Sequence, residues 1–237
     1  MASNFGKTIQ VSTFGASHGY AIGGIVEGLP CGHTIDIDEL QTFLKRRAPG
    51  QNQLQTQRKE ADIPEFLAGM VDGMLSGSPL AFMIRNTSQH SGDYNNLRDI
   101  PRPSHADFTA RMRYGDKVDM RGGGHFSARL TAPLCVAGGI ALQLLREKGI
   151  EIHGHLKQVG TIQDTPIDMV HPDMKALFEI ATEPIAMVDA DKRSEVENLV
   201  MKLKKDGDST GGIVEVVATG LPIGLGNPNF DGIENRL

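Results

Sequence analysis

Arginines, histidines, serines and glycines gather between residues 98 and 129 in a pattern that could hold an anion. Two runs carry most of them, Arg102-Pro103-Ser104-His105-Ala106-Asp107 and Arg121-Gly122-Gly123-Gly124-His125-Phe126-Ser127-Ala128-Arg129. The segment has seven basic and four acidic residues, a net charge of +3 in a chain of formal net charge −5. Glycines let backbone N–H groups approach an oxyanion, and guanidinium groups match phosphate and carboxylate geometry. We therefore predict an anion site; the alternative is a solvated loop whose arginines pair with nearby aspartates.

Two histidines in tight turns, His18 and His105, are candidates for proton transfer because an imidazole titrates near neutral pH. A turn histidine is more often simply polar and exposed, and that interpretation stays open. His153 and His155 would share one face of a predicted strand and could bind a metal ion there. Because no third ligand lies nearby in the sequence, we interpret both as surface residues and predict no metal site.

The run Gly15-Ala16-Ser17-His18-Gly19 matches the G-x-S-x-G string of serine hydrolases, in which a strained turn exposes the nucleophile. In those enzymes the turn joins a strand to a helix, whereas here it lies between two predicted strands. A serine hydrolase is therefore the weakest hypothesis for this chain. The glycine run at 122–124 lacks the lysine and hydroxyl residue of a P-loop and is not a dinucleotide fingerprint, so a nucleoside triphosphate is not expected.

The composition argues against several other classes of function. A net charge of −5, a pI near 5.9 and 5% aromatic residues are unlike a general nucleic-acid or membrane-surface binder. Cys31 and Cys135 are far apart, which gives no support for a disulfide framework and favours a reducing compartment. The N-terminus lacks a signal-peptide pattern, and no apolar stretch approaches the roughly 20 residues of a membrane span. We expect a cytoplasmic protein with neither nucleic acid nor membrane as partner.

Hydrophobic periodicity predicts the elements that must position these groups. Strands are predicted over 8–14, 21–26, 66–71, 80–84, 150–159 and 212–218. Helices are predicted from an Asp36–Glu39 capping pair to Ala48, over 130–148 and over 191–205. Residues 86–126 show little periodicity and are predicted to lack regular structure, which in a stretch of this length usually marks a functional segment. Because the strands come in adjacent pairs, we predict an α+β fold with antiparallel sheets rather than a doubly wound parallel sheet.

Two further features concern the organisation of the chain. The run Gly23-Gly24-Ile25-Val26-Glu27, followed by Gly28-Leu29-Pro30, reappears as Gly211-Gly212-Ile213-Val214-Glu215 and Gly220-Leu221-Pro222. An internal duplication and the chance reuse of a strand-turn composition would both explain this echo. Phe230, Ile233 and Leu237 begin an apolar helical stripe that has no cap. We therefore expect a single domain over residues 1–237 that is truncated at its C-terminal end.

Four motifs, taken in order, resemble the chorismate synthase family: Phe14-Gly15-Ala16-Ser17-His18-Gly19, Arg46-Arg47-Ala48-Pro49-Gly50, residues 102–107 and residues 121–129. The resemblance extends through Gly220-Leu221-Pro222-Ile223-Gly224-Leu225-Gly226. Family members are typically considerably longer, which also favours truncation. The resemblance implies helices sandwiched between antiparallel sheets, and a homotetramer.

The resemblance further implies a lyase that converts 5-enolpyruvylshikimate-3-phosphate to chorismate and phosphate. This 1,4-anti elimination requires reduced FMN without net redox change. The resemblance assigns the anionic groups of the substrate to Arg47, Arg58, Arg102 and Arg129. It places His105 near the flavin and His18 near the departing phosphate, with Ser17 and Ser127 as hydrogen-bonding and relay groups. Flavin contacts are assigned to Arg121, Gly123, Gly124, His125 and Ser127.

The second hypothesis is a domain that binds phosphate or another anionic metabolite without catalysis. The resemblance also leaves open whether the chain reduces its own flavin with NAD(P)H. Three residues depart from the family pattern: Ala16 stands where Glu is usual, Ser104 where Gly is usual, and Gln53 where many members have Arg. The absent glutamate removes a negative charge beside His18, which should lower the pKa of that histidine relative to its counterparts.

Overall fold

The computed structural model describes residues 3–50, 54, 60–87, 100–226 and 232. The chain forms two compact units, Met1–Gln143 and Leu144–Leu237. The predictions made for five residues lie outside the described part of the chain: Gln53, Arg58, Phe230, Ile233 and Leu237.

The first unit contains antiparallel sheets and helices. Its strands are β1 (Asn4–Phe5), β2 (Gln10–Gly15), β3 (Ala21–Glu27), β4 (Pro64–Ala68), β5 (Met70–Val71), β6 (Met74–Leu75) and β7 (Leu80–Arg85). Its helices are α1 (Ile37–Arg47), α2 (Asp107–Tyr114) and most of α3 (Thr131–Arg146). One sheet has the order β1-β2-β3-β7-β4, and β5 pairs with β6. Each of these pairs is antiparallel, which confirms the predicted α+β class.

Two sequence predictions for this unit are wrong. The predicted strand 66–71 is broken at Gly69, which has a φ of +83° and lies so close to β7 that a Cβ there would be 2.5 Å from Leu80 Cα. The chain therefore leaves the large sheet after β4, and β5 joins a different sheet. Residues 86–126 are not without regular structure, since they contain α2 and a 3-10 helix at Arg121–Phe126.

Helices α1 and α3 of the first unit run antiparallel to each other. Asp36 caps α1 by accepting a hydrogen bond from the Glu39 N–H at 2.8 Å, as predicted, and its own backbone exchanges two hydrogen bonds of 2.9 Å with the Gln143 side chain. At the other end, Arg47 Nε donates to Thr131 Oγ1 at 3.3 Å. The helices approach closely between these contacts, since a Cβ on Gly139 would stand 2.5 Å from Leu40 Cδ1. This pair fixes the position of Arg47.

The helical run Arg121–Arg146 has the length and apolarity of a membrane span, with a mean hydropathy of 1.5 over its most apolar window. That window is 56% buried inside the protein, as in the core helix of a water-soluble fold. Gly122, Gly123 and Gly124 also interrupt the run with non-helical torsion angles, so the regular helix α3 has only 16 residues. About 20 helical residues are needed to cross a bilayer.

The second unit contains a small antiparallel sheet and two helices. Its strands are β8 (Glu151–Val159), β9 (Ile162–Gln163) and β10 (Gly212–Thr219), in the order β10-β8-β9. The helices are α4 (Met174–Ile180) and α5 (Ala190–Asp206). Leu177 and Ile180 of α4 pack against Val217 of β10 in its core. The sequence predicted β8, β10 and α5, and it missed α4.

The interpretation of His155 as a surface residue is wrong. It lies on β8, the central strand of its sheet, and is 2% exposed. Its Nε2 lies 3.0 Å from Glu215 Oε2 and its Nδ1 lies 3.4 Å from Asp164 Oδ2. The carboxylates of Glu215 and Asp164 thus lie at the two nitrogen edges of this buried ring. His153, two residues earlier, is also partly buried, with a side chain 16% exposed.

The two copies of the echoed sequence adopt the same local structure. β3 ends opposite the start of β2, and β10 ends opposite the start of β8. Gly28 and Gly220 follow with φ of +84° and +71°, and a Cβ on either would stand 2.0 Å from a backbone carbonyl, that of Thr8 or Gly149. Only glycine fits these corners, which explains why the Gly-Leu-Pro turn recurs.

Candidate active site

The turn between β2 and β3 buries Ser17 and His18, which are 0% and 7% exposed. Ser17 Oγ donates to the carbonyl oxygens of Arg121 and Gly122, both at 3.1 Å, and lies 3.2 Å from His18 Nδ1. Carbonyl oxygens only accept, so a hydroxyl proton shared between them leaves Nδ1 of His18 to donate in the contact with Ser17. The turn joins two strands and commits its hydroxyl to backbone acceptors, so it is not the nucleophile elbow of a hydrolase.

The glycine run docks directly on this turn. The φ angles of Gly122, Gly123 and Gly124 are +59°, +92° and +55°. Residues that have a side chain rarely adopt these positive values. A Cβ on Gly122 would stand 2.1 Å from His18 Cε1, and one on Gly124 would stand 1.8 Å from the Asp119 carbonyl oxygen. The Ser17 N–H donates to the Gly124 carbonyl at 3.1 Å. The glycines therefore let the loop approach the His18 ring closely.

His125 ties the same loop to the end of β2. Its Nδ1 lies 2.9 Å from the Gly15 carbonyl oxygen, and its Nε2 lies 3.0 Å from Ser3 Oγ. A carbonyl only accepts, so Nδ1 carries the proton and Nε2 accepts from the serine hydroxyl. Both ring nitrogens of His125 thus have protein partners.

Arg129 lies at the centre of a buried charge cluster, with a side chain 4% exposed. It pairs with Asp62, which also accepts from Arg47, and its Nη2 lies 3.8 Å from Glu60 Oε2. Asp62 has a φ of +50°, unusual for a non-glycine residue and a common sign of a functional position. Among the described residues, Arg129 Nη2 has no hydrogen-bond partner. The cluster thus contains a buried cationic donor with unused capacity.

Asn86 connects this cluster to the Ser17–His18 turn. Its Nδ2 donates to the carbonyl oxygens of Ala16 at 3.0 Å and Gly19 at 2.8 Å, on the two sides of the turn. Its Oδ1 accepts from Arg129 Nε at 3.0 Å. A single carboxamide therefore bonds to both ends of the turn and to the buried guanidinium.

Arg102 and Arg121 each pair with an aspartate that lies nearby in the sequence, as the alternative interpretation expected. Arg102 makes a bidentate pair with Asp107, with contacts of 2.8 and 3.0 Å, and Arg121 does the same with Asp119 at 2.9 and 2.8 Å. The hydrogen bond from Arg102 lowers the pKa of Asp107, and that from Arg121 lowers the pKa of Asp119. An anion at either arginine would share the guanidinium with its aspartate.

Ser104, His105 and Ser127 stand at the starts of helical segments. His105 is exposed just before α2, and Ser104 before it has a φ of +61°. Glycine adopts this left-handed conformation more readily than serine does. Ser127 Oγ accepts from the Arg129 N–H at 3.3 Å and caps the turn that leads into α3.

The structure brings together predicted residues from distant parts of the chain: Ser17, His18, Gly122, Gly123, Gly124, His125, Ser127 and Arg129. Arg47 joins this group through Asp62, whereas Arg102 and His105 lie at the start of α2. Sequence reasoning missed Glu60, Asp62 and Asn86. The alternating acidic pair Glu60 and Asp62, immediately before β4, was the one available signal, because residues two apart in an extended segment share a face.

These features define an α+β protein with a buried cluster of arginine and carboxylate side chains beside a histidine turn. Residues 9–237 match the family model described as chorismate synthase. A chorismate synthase of Lancefieldella parvula is 43% identical over 248 residues, covering 100% of this chain and 65% of its own length. One of Ralstonia pickettii is 44% identical, covering 98% of this chain and 61% of its own length.

A solved structure described as "Crystal Structure of Chorismate Synthase" has a TM-score of 0.72 and 25% identity, covering 93% of this chain and 61% of that one. The chain belongs to the chorismate synthase family. It spans between 61% and 65% of the length of the relatives named here.

Proposed function

We propose that this chain carries the substrate-facing and flavin-facing residues of a chorismate synthase. The reaction is the 1,4-anti elimination of phosphate from 5-enolpyruvylshikimate-3-phosphate to give chorismate, with reduced FMN. The observation that carries the proposal is the docking of the Ser17–His18 turn on the glycine run beside Arg129, in a chain of this family. Arginines beside a histidine suit a substrate that loses phosphate.

Recognition of the anionic substrate falls to Arg47, Arg58, Arg102 and Arg129. Nη2 of Arg129, which has no hydrogen-bond partner within the described part of the chain, supports this assignment, because a buried guanidinium nitrogen gains most from an anionic acceptor. A charge-assisted hydrogen bond contributes about 1.5–3 kcal/mol. Arg47 has a side chain 20% exposed and therefore offers the more accessible guanidinium.

Proton handling on the phosphate side is assigned to His18. Since its Nδ1 donates to Ser17, its Nε2 is the nitrogen assigned to proton exchange with the departing group. Ser17 then acts as a positioning group that holds the ring. His105, exposed near the start of α2, is assigned to the flavin side, and Ser127 to hydrogen bonding beside it.

The residues around α2 fit a reduced flavin, which needs apolar surface for a flat ring and cationic donors for a phosphate tail. Phe108 and Met112, one turn apart on α2, are 59% and 70% exposed, and the Arg121 side chain is 51% exposed. Arg121, Gly123, Gly124, His125 and Ser127 are the proposed flavin-holding residues. When bound, reduced FMN lends electron density to the substrate as phosphate leaves.

The test is anaerobic incubation of the chain with pre-reduced FMN and 5-enolpyruvylshikimate-3-phosphate, with release of phosphate and chorismate followed separately. We expect equal amounts of both products and none with oxidised FMN. Substituting His105→Ala or His18→Ala should reduce turnover by more than about tenfold, within the usual range for acid–base groups. Unchanged turnover in both variants would contradict the assigned roles.

The second candidate function is binding of an anionic metabolite without turnover. It rests on the same guanidinium groups, those of Arg47, Arg102, Arg121 and Arg129, which suit an anion whether or not a reaction follows. Titration calorimetry with the same substrate distinguishes the two: heat of binding without phosphate release under reducing conditions supports a binding domain.

The assembly expected of this function is a homotetramer in the cytoplasm that needs neither nucleic acid nor membrane. Light scattering after size-exclusion chromatography measures the mass directly. A mass near four times 25.6 kDa is the expected result. A separate assay of flavin reduction by NADPH in the absence of substrate determines whether the chain reduces its own cofactor.

A further inference from the structure

We infer that Asn86 is a positioning residue that holds the His18 turn in place relative to the Arg129 cluster. Asn86 follows directly after β7 and is 8% exposed. Neither sequence motifs nor composition singled it out. The inference deepens the proposed function and rests on it where turnover is concerned.

The orientation of the carboxamide follows from its partners. Nδ2 faces two backbone carbonyls and Oδ1 faces a guanidinium N–H, so the opposite orientation would put oxygen against oxygen and N–H against N–H. The Asn86 backbone N–H adds a fourth contact, donating to the Tyr20 carbonyl at 3.1 Å. Two amide protons, one carbonyl oxygen and one backbone N–H are thus all engaged.

These contacts enclose the His18 turn from both sides. The carbonyls of Ala16 and Gly19 flank Ser17 and His18, and the Gly19 N–H also donates to the Ala16 carbonyl at 3.0 Å. Without Asn86, the Gly19 carbonyl would lose the Nδ2 donor and the Ala16 carbonyl would keep only the Gly19 N–H, while the strands on either side stayed paired. The turn itself, rather than the sheet, would then lose its fixed position.

The bond from Arg129 gives Asn86 its second role. Arg129 is held by Asp62 and by Asn86, and the Asn86 amide links the guanidinium to the turn through hydrogen bonds at both of its ends. A shift of the guanidinium toward a bound anion would pull on Asn86 Oδ1. The His18 ring is therefore placed with respect to the group that meets the anion.

The test compares Asn86→Asp with Gln143→Glu. Gln143 is a matched control because its carboxamide also makes hydrogen bonds to backbone groups, at Asp36, away from this site. The aspartate keeps an acceptor for Arg129 but sets oxygen against two carbonyls. We expect amide hydrogen exchange at Ser17 and Gly19 to quicken at least about tenfold in Asn86→Asp, with β3 unchanged, and to stay unchanged in Gln143→Glu. Equal effects on the turn and on β3 would overturn the inference.

The kinetic test combines Asn86→Asp with His18→Ala. The single Asn86→Asp change should lower kcat by about ten- to a hundredfold with a smaller change in KM, as expected for a misplaced acid–base group. In the His18→Ala background it should lower kcat by less than about threefold, because the group that it positions is gone. Multiplicative losses would contradict the inference.

Two features of the design keep the outcomes separate. Asn86→Ser removes the amide donors without adding charge, so it decides the question where the aspartate variant does not fold. The exchange measurement needs no turnover, so it remains decisive for Asn86 even if the chain proves inactive. Conversely, normal kcat in a folded Asn86→Asp enzyme would overturn the inference and leave the proposed reaction standing.

Discussion

Replacing Gly122 by alanine tests the close packing of the glycine run on His18. The residue has a φ of +59° and ψ of 18°, so an alanine there adopts the left-handed conformation at a cost of about 1–2 kcal/mol. Its Cβ would also stand 2.1 Å from His18 Cε1, so the ring must move. Forced overpacking of this kind costs a further 1–3 kcal/mol or so. We expect Gly122→Ala to lower the free energy of unfolding by about 2–5 kcal/mol.

A second glycine separates backbone strain from the clash. Gly207, after α5, has a similar φ of 68° and ψ of 26°, and nothing lies within 4 Å of the Cβ that an alanine would add. Gly207→Ala should therefore cost only the strain of about 1–2 kcal/mol. It should also leave turnover unchanged, whereas Gly122→Ala should reduce it by more than about tenfold because His18 is displaced.

The assay is chemical denaturation of Gly122→Ala in the native and His18→Ala backgrounds. Removing the imidazole should relieve the closest contacts, while Ser17 Oγ would still stand 2.8 Å from the new Cβ. The cost of Gly122→Ala should therefore fall toward that of Gly207→Ala. The difference between backgrounds is then about 1–3 kcal/mol of coupling. An equal cost in both backgrounds would refute the reasoning, since it would mean that the ring does not fill the space beside Gly122.

Three further predictions concern single positions. Ala16→Glu places a negative charge beside His18 and should move the pH–rate profile to higher pH; an unmoved profile would contradict the charge argument. Arg102→Gln should lower stability by on the order of 1 kcal/mol at neutral pH. Arg102 lowers the pKa of Asp107, so the loss of stability in Arg102→Gln should be complete above the pKa that Asp107 has in the unfolded chain. It should disappear as the pH falls through the lower pKa that Asp107 has in the folded chain. Denaturation at several pH values measures this dependence. Ser104→Gly should raise the melting temperature, since it relieves a φ of +61°, and an unchanged or lower value would count against strain there.

Periodicity predicted the elements that are long or capped by their own side chains. Helix α1 begins at the Asp36 cap, and α3 and α5 have 16 and 17 residues. Helix α2 was missed because it has only eight residues and its N-cap, Ala106, makes no side-chain hydrogen bond. The break between β4 and β5 depends on how closely Gly69 approaches β7, which no local pattern encodes.

The residues of the candidate site that lie in local sequence motifs were predictable. Those that join the site only through contacts with distant parts of the chain were not. Ser17 and His18 stand in a glycine-bounded turn, and Arg129 follows the glycine run, so sequence pattern alone singled them out. Asp62 and Asn86 are ordinary polar residues in sequence, and their importance arises from partners 67 and 43 positions away in the chain. Their roles follow from which buried groups need a partner, and this requires the folded arrangement.

The shared carboxylate of Asp62 also limits how this site can evolve. One carboxylate pairs with two guanidinium groups, those of Arg47 and Arg129, from different helical segments. Losing the carboxylate in a single mutational step would take the counter-charge from Arg47 and leave Arg129 with only the more distant Glu60, 3.8 Å away. Losing either arginine would take one of the two cationic partners from the buried Asp62 carboxylate. Substitutions at Arg47, Asp62 and Arg129 should therefore occur together in related sequences or not at all. We expect these three positions to covary.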